Sequence, residues 1–304
     1  MGWGRHPRAD FCPHGRAAMP RRPDFVPPDT STNNTTYDTD LTDAQWPLIE
    51  PRLPPPDASG APRTTNLRHA LNALLYRNTT GCQWKMLPKD FGIPWKTVSN
   101  GHETFARLGT WERVQRVLAA QVRVGDGRDP APSLLSIDSP TVKSAETVPD
   151  AGFDGGKKVK GRKRHVLVDS LGLVFAVAVT SAAVSDAKGA EGVLRAVEGN
   201  RRLAVVLAAS AYHRDTLYES LAATHAGYRV DIVSTLAGQK VFIPPPKRWL
   251  VERDFAWLRG GRLLAREYEG RAWISRSNVY MRSMMLTLNM YQRQQAELAP
   301  ACAA

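Results

Sequence analysis

The chain has 304 residues, enough to bury a real hydrophobic core without disulfides standing in for one. Hydrophobic residues at 42% and charged residues at 23% lie near globular norms, which excludes wholesale disorder and fibrous repeats. Lys and Arg number 41 against 29 Asp and Glu, and the resulting +12 favours a polyanionic partner, either nucleic acid or an anionic membrane surface.

Residues 1–40 are rich in Pro, Thr, Asn and Asp, with five Arg balanced by five Asp, and read as a disordered leader. Order is expected from Leu41. Thr42 and Gln45 form a capping-box pattern before a short helix with Trp46 and Ile49, which Pro51 stops. Leu67, Leu71, Leu74 and Leu75 recur at helical spacing, and Gly81 closes that helix. After the loop 81–91, Pro94 opens a helix carrying Val98 and Phe105 toward Gly109. A fourth helix has Trp111, Val114, Val117, Leu118 and Val122. Four short amphipathic helices over 41–124 make a compact helical domain, which the spacing reads as either a helix-turn-helix DNA binder or plain helical packing. In the first case the third helix, with Lys96, His102 and Arg107 but also Glu103, stands where a recognition helix would.

The stretch 125–132 reads as a linker, and the pattern then changes. A strand is predicted over Leu134–Ile137, ending at Asp138. His165–Asp169 and Leu173–Thr180 form a hairpin joined by a tight turn. A helix follows over Ala187–Val197 with Asp186 as its cap, then a continuous apolar strand over Leu203–Ala208, a short strand over Asp231–Ser234 and a helix over Lys247–Leu258. That order predicts an α/β domain with a mixed sheet. The most apolar stretch, Leu171–Val184, falls short of the roughly 18 to 20 residues a membrane span needs and reads as a buried strand. Cys12, Cys82 and Cys302 are far apart, with no metal-ligand spacing, and suit a reducing compartment without structural zinc.

Eleven of the twelve net charges sit in two stretches. One is 157–165, with Lys157, Lys158, Lys160, Arg162, Lys163, Arg164 and then His165. The other, 240–266, includes Arg253, Arg259 and Arg262. Such concentration reads either as a phosphate footprint or as a solvated face. Two carboxylates draw attention for different reasons. Asp138 ends a buried strand, where it caps the next turn or holds a metal. Glu252 lies about 100° around its helix from Val251, beside the core stripe, as an ion-pair partner or a ligand.

Together these blocks resemble a known family. SIDSPTVKS (136–144), the stretch 160–190 and WLVERDFAWLRGGRLLAREYE (249–269) are similar to the catalytic blocks of DDE transposases of bacterial insertion sequences, the family named for insertion sequence five. The helical part resembles that family's N-terminal domain, and the likeness covers about residues 41–292. It implies an RNase H-like catalytic domain over 133–292, a tail over 293–304, Asp138 and Glu252 as the first and third acids, and two Mg²⁺ or Mn²⁺ ions. It further implies double-stranded DNA partners (terminal inverted repeats and a target), a homodimer on paired ends, no membrane and a cytoplasmic, nucleoid-associated location. On this resemblance the cationic residues Lys157, Lys158, Lys160, Arg162, Lys163, Arg164, His165, Arg253, Arg259 and Arg262 are the expected DNA contacts.

Three acids suit the chemistry because in-line phosphodiester cleavage uses two hard cations, held by carboxylate oxygens, to clamp the entering and leaving oxygens. In the family the second Asp stands three residues before a Tyr. Here Tyr212 aligns and the acid position is Ala209; Asp215, six residues on, falls on a different turn. The sequence therefore predicts a transposase with an impaired metal site. Two other readings stand beside it: a repressor-like DNA-binding protein without catalysis, and a structure-specific nuclease.

Overall fold

A computed structural model of the chain describes residues 37–56, 63–223, 227–233 and 255–298. Most of the expected leader, Glu252, Arg253 and most of the expected helix over 247–258 lie outside the described residues.

The capping box at the start is reciprocal. The Gln45 backbone N–H donates to Thr42 Oγ1 at 3.3 Å, while the Thr42 N–H donates to Gln45 Oε1 at 3.1 Å. Helix α1 (Trp46–Ile49) follows. In α2 (Leu67–Thr80) the Asn66 side chain accepts from the His69 N–H, and Gly81 in the left-handed region ends the helix as expected. Then come α3 (Trp95–Arg107) and α4 (Thr110–Gly125).

Among the described residues seven strands make one mixed sheet: β1 (Leu134–Asp138), β2 (Thr141–Lys143), β3 (Gly152–Asp154), β4 (Val159–Asp169), β5 (Val174–Ser181), β6 (Val205–Ala208) and β7 (Arg229–Ile232). The spatial order is β2-β4-β1-β6-β7, with β5 and β3 also paired to β4. Strands β1, β6 and β7 run parallel, whereas β4 is antiparallel to β1, β2, β3 and β5. Crossover α5 (Asp186–Arg195) joins β5 to β6, and α6 (Asp215–Ala223) lies between β6 and β7. The α5 cap is Ser185, which accepts from the Lys188 N–H, one residue before the expected Asp186.

Alternation along β1 and β4 divides the core into two layers. Leu135, Ile137 and Leu167 face α5 and α6, packing with Ala190, Val193, Leu194 and Leu217. Val166 and Val168 face the other way, onto Trp111, Val114 and Leu118 of α4 and onto Tyr280, Met281 and Met284. Those last three belong to a 27-residue helix, Ala272–Leu298, that the sequence reading passed over and that runs beyond the expected boundary at 292. This long helix and α4 cover one face of the sheet, so the helical part and the sheet share a single hydrophobic cluster across the expected linker.

Candidate active site

Two strand ends build the site. Ile137 of β1 pairs with Ala208 of β6 in parallel register, so the next residues, Asp138 and Ala209, stand side by side where both strands terminate. They share a small notch with Ser136, Leu207 and Val233. One Asp138 carboxylate oxygen accepts from the Ser139 N–H at 2.7 Å. Below lies Tyr212, 1% exposed at the end of the turn Ser210–Tyr212; burial raises its hydroxyl well above the ordinary tyrosine value, and the nearby Asp138 and Asp186 charges add to that.

Asp138 also opposes Val166 of β4. Directly opposed residues project from the same face of a sheet, so Asp138 and Val166 share one face. On that side Val166, Val142, Arg164, Phe255, Leu258 and Arg259 line a cavity of about 310 Å³. Glu252 itself is not described; Phe255, three residues later in sequence, borders this cavity.

The basic stretch, which runs from the turn before β4 into that strand, divides in two. Lys157, Lys158 and Lys160 are exposed, as are Arg259 and Arg262. Arg162, Lys163, Arg164 and His165 are buried instead of lying on an open phosphate-binding face. The reason is the covering of β4 on both faces once it enters the sheet. Arg162 donates to the carbonyls of Pro149, Glu269 and Gly270. Lys163 lies 2.9 Å from Asp186 and 3.5 Å from Asp154, and donates to the Val184 carbonyl. Arg164 donates to the Leu264 carbonyl and pairs with Glu267, itself 1% exposed; burial lowers the Arg164 pKa while Glu267 opposes that shift. His165 exchanges a hydrogen bond with Thr180 Oγ1, and burial brings its imidazole down to about 4. The expected recognition helix is similarly mixed. Lys96 and Arg107 are exposed, but His102 is 2% exposed, with its pKa lowered by burial to about 3, and Glu103 pairs with Arg107 and Arg271.

One brace escaped the sequence reading. Asp154 Oδ1 accepts from the N–H groups of Gly156 and Lys157, and its Oδ2 accepts from Thr141 Oγ1 at 2.6 Å. Burial alone would raise this carboxyl, but Thr141, the Lys157 N–H and Lys163 together bring it to about 2. Lys157 Nζ then donates to the Ser139 carbonyl at 2.7 Å, tying the turn to the residue after Asp138. An Asp followed by two glycines is turn chemistry, and that signal was available in the sequence.

Residues 129–288, more than half of the chain, match the family model for the transposase DDE domain. The chain belongs to the DDE transposases. Residues 41–115 of this transposase match a second model, for transposases of the IS4/5 family. It is also 28% identical over 142 residues to the insertion element IS402 uncharacterized 16.2 kDa protein of Burkholderia cepacia, an alignment spanning 34% of this chain and 93% of that protein. A solved structure, the Mos1 mariner paired end complex with Mn, is similar at 13% identity and a TM-score of 0.27, over 80% of this chain and 82% of that one. The mixed sheet and flanking helices agree with the RNase H-like fold expected of a DDE domain.

DDE transposases generally use divalent metal ions. Among the described residues the donor set does not complete such a site. Asp138 carries a carboxylate, Ala209 beside it only a methyl group, and no cluster of three His, Cys, Asp or Glu able to hold a metal occurs among the described residues. No helix among them is long and apolar enough to cross a membrane.

Proposed function

We propose that this chain is an insertion-sequence transposase that binds the terminal inverted repeats of its element, and target DNA, but is impaired in strand cleavage and transfer because Ala209 occupies the position of the second metal-binding acid. The observation that carries this reading is the register of β1 and β6. It brings Ala209 beside Asp138, where a carboxylate would share a cation with it. Asp138 and Glu252 are the remaining acids of the triad, and Mg²⁺ or Mn²⁺, two ions in an intact site, would supply electrophilic activation of the scissile phosphate.

The role left to the chain's own residues is binding. Lys157, Lys158, Lys160, Arg259 and Arg262 are exposed, which supports a role in neutralising phosphates. Arg253 belongs to the same proposal from its place in sequence. Homodimerisation on paired ends and a nucleoid-associated, cytoplasmic location follow from family membership as proposals. A repressor-like role is favoured over a free nuclease by the same residue, because Ala209 removes a metal ligand without removing a cation.

Strand cleavage of a duplex carrying the element's end, with Mg²⁺ or Mn²⁺, tests the reading. Ala209→Asp is expected to cut and the native chain to bind without cutting. Equal cutting by both would overturn the assignment of Ala209.

A further inference from the structure

The hairpin formed by β3 and the start of β4 carries one residue that the charge argument leaves unexplained. Phe153 is 60% exposed, although it sits in a strand paired to the sheet. Its cross-strand partner is Lys160, and directly opposed side chains share a face. Along β4, residues 160 and 166 also share a face by period-two alternation, because the register shift in this strand comes only after Leu167. Val166 opposes Asp138. Phe153, Lys160 and Asp138 therefore project from the same side of the sheet.

Rigid seating sets this hairpin apart from an ordinary surface loop. Gly152 and Gly161 pair at its base, and both are close-approach positions. A Cβ on Gly152 would come within 2.1 Å of Ser181 Oγ, and one on Gly161 within 1.9 Å of the Val142 carbonyl oxygen. Asp154 closes the turn and Lys157 fastens it to Ser139. An exposed aromatic ring on a braced backbone, with exposed Lys158 and Lys160 in the same hairpin, combines the two elements used to hold single strands: a π-face for bases and cations for phosphates.

We infer that Phe153 is a stacking platform for unpaired DNA bases next to the scissile strand, with Lys158 and Lys160 neutralising the adjoining phosphates. This rests on the DNA-binding reading above and names the form of DNA recognised. A duplex hides its base faces from such a ring, and a second copy of this lysine-rich hairpin would be repelled by like charge. Six residues of β4 separate the levels of Lys160 and Asp138, roughly 20 Å along the strand, or about six nucleotide steps of a duplex. Unpaired nucleotides flanking a cleaved end lie within that reach.

The test uses the full chain and fluorescence anisotropy with two labelled probes, a blunt duplex of the element's end and the same duplex extended by an oligo-dT tail. Phe153→Ala is expected to weaken binding of the tailed probe by about tenfold and to leave the blunt probe unchanged. Phe153→Trp should restore the difference, whereas Phe153→Leu, apolar but without a π-face, should not. Equal effects on both probes, no effect on either, rescue by Leu, or a change in oligomeric mass with Phe153→Ala would each overturn the platform. If the native chain binds neither probe, the DNA-binding reading fails with it; if it binds both and Phe153→Ala changes nothing, only the platform fails.

Discussion

Lys157, Lys158 and Lys160, in the turn before β4 and at its start, are exposed, whereas Arg162, Lys163, Arg164 and His165, a few residues further along, are enclosed and bonded to carbonyls, carboxylates and a hydroxyl. Both groups contribute to one continuous basic run, yet only the first is available to a partner. The change comes at Gly161, where β4 gains β2 and then β5 as neighbours and is covered on one face by α5 and on the other by the segment 264–270. A count of charges therefore overstates the binding surface. Three of the buried groups, Arg162, Lys163 and Arg164, bind β4 to the segments 149–154, 184–186 and 264–270, while His165 is hydrogen-bonded to Thr180 of β5.

The largest expected effect separates the two groups by stability. Arg164→Ala leaves the Glu267 carboxylate buried without its cation and is expected to cost about 3–5 kcal/mol, measured by denaturant unfolding. Lys160→Ala should change stability by no more than about 0.5 kcal/mol. Similar losses for both would erase the distinction. The second effect concerns DNA: Lys158→Gln and Lys160→Gln should each lower the slope of log affinity against log salt by about one, with unfolding unchanged. A slope insensitive to both would remove these lysines from the binding face.

The smallest effect is in the pH dependence. Burial holds His165 at about 4 and His102 at about 3 in the folded chain, below the value of about 6.5 for an exposed histidine. The unfolded chain then binds more protons than the folded one. Their contribution is complete above pH about 6.5 and is lost as the pH falls toward about 4 for His165 and about 3 for His102. His165→Gln should flatten the acid limb of the stability curve. An unchanged limb would mean that His165 is not held neutral.

Much of the site's frame was legible in the sequence because it rests on strong local signals. An apolar run ending in Asp138, another ending before Ala209, and Tyr212 three residues further on defined the two strand ends that the sheet brings together. The Thr42–Gln45 cap and Gly81 were equally local. The helix Ala272–Leu298 was not, since Ser275, Ser277, Asn278, Ser283 and Thr287 are buried among its apolar residues and blur the helical period. Thr287, for example, is hydrogen-bonded to Gln115 of α4. Nor could the burial of Arg162 and Arg164 be read locally, because their partners Glu267, Glu269 and Gly270 lie about a hundred residues away. Three-residue β3 is too short to show a strand pattern, so no local signal marks Phe153.

The central claim, that Ala209 stands where a metal-binding carboxylate is missing, is tested most directly by Mn²⁺-dependent thermal unfolding of the native chain beside Ala209→Asp. Binding to the folded state at a concentration one hundred times the dissociation constant stabilises by about 2.7 kcal/mol, enough to move the midpoint by several degrees. The account predicts that the Ala209→Asp midpoint rises with Mn²⁺ while that of the native chain stays in place. An equal rise in both would contradict it.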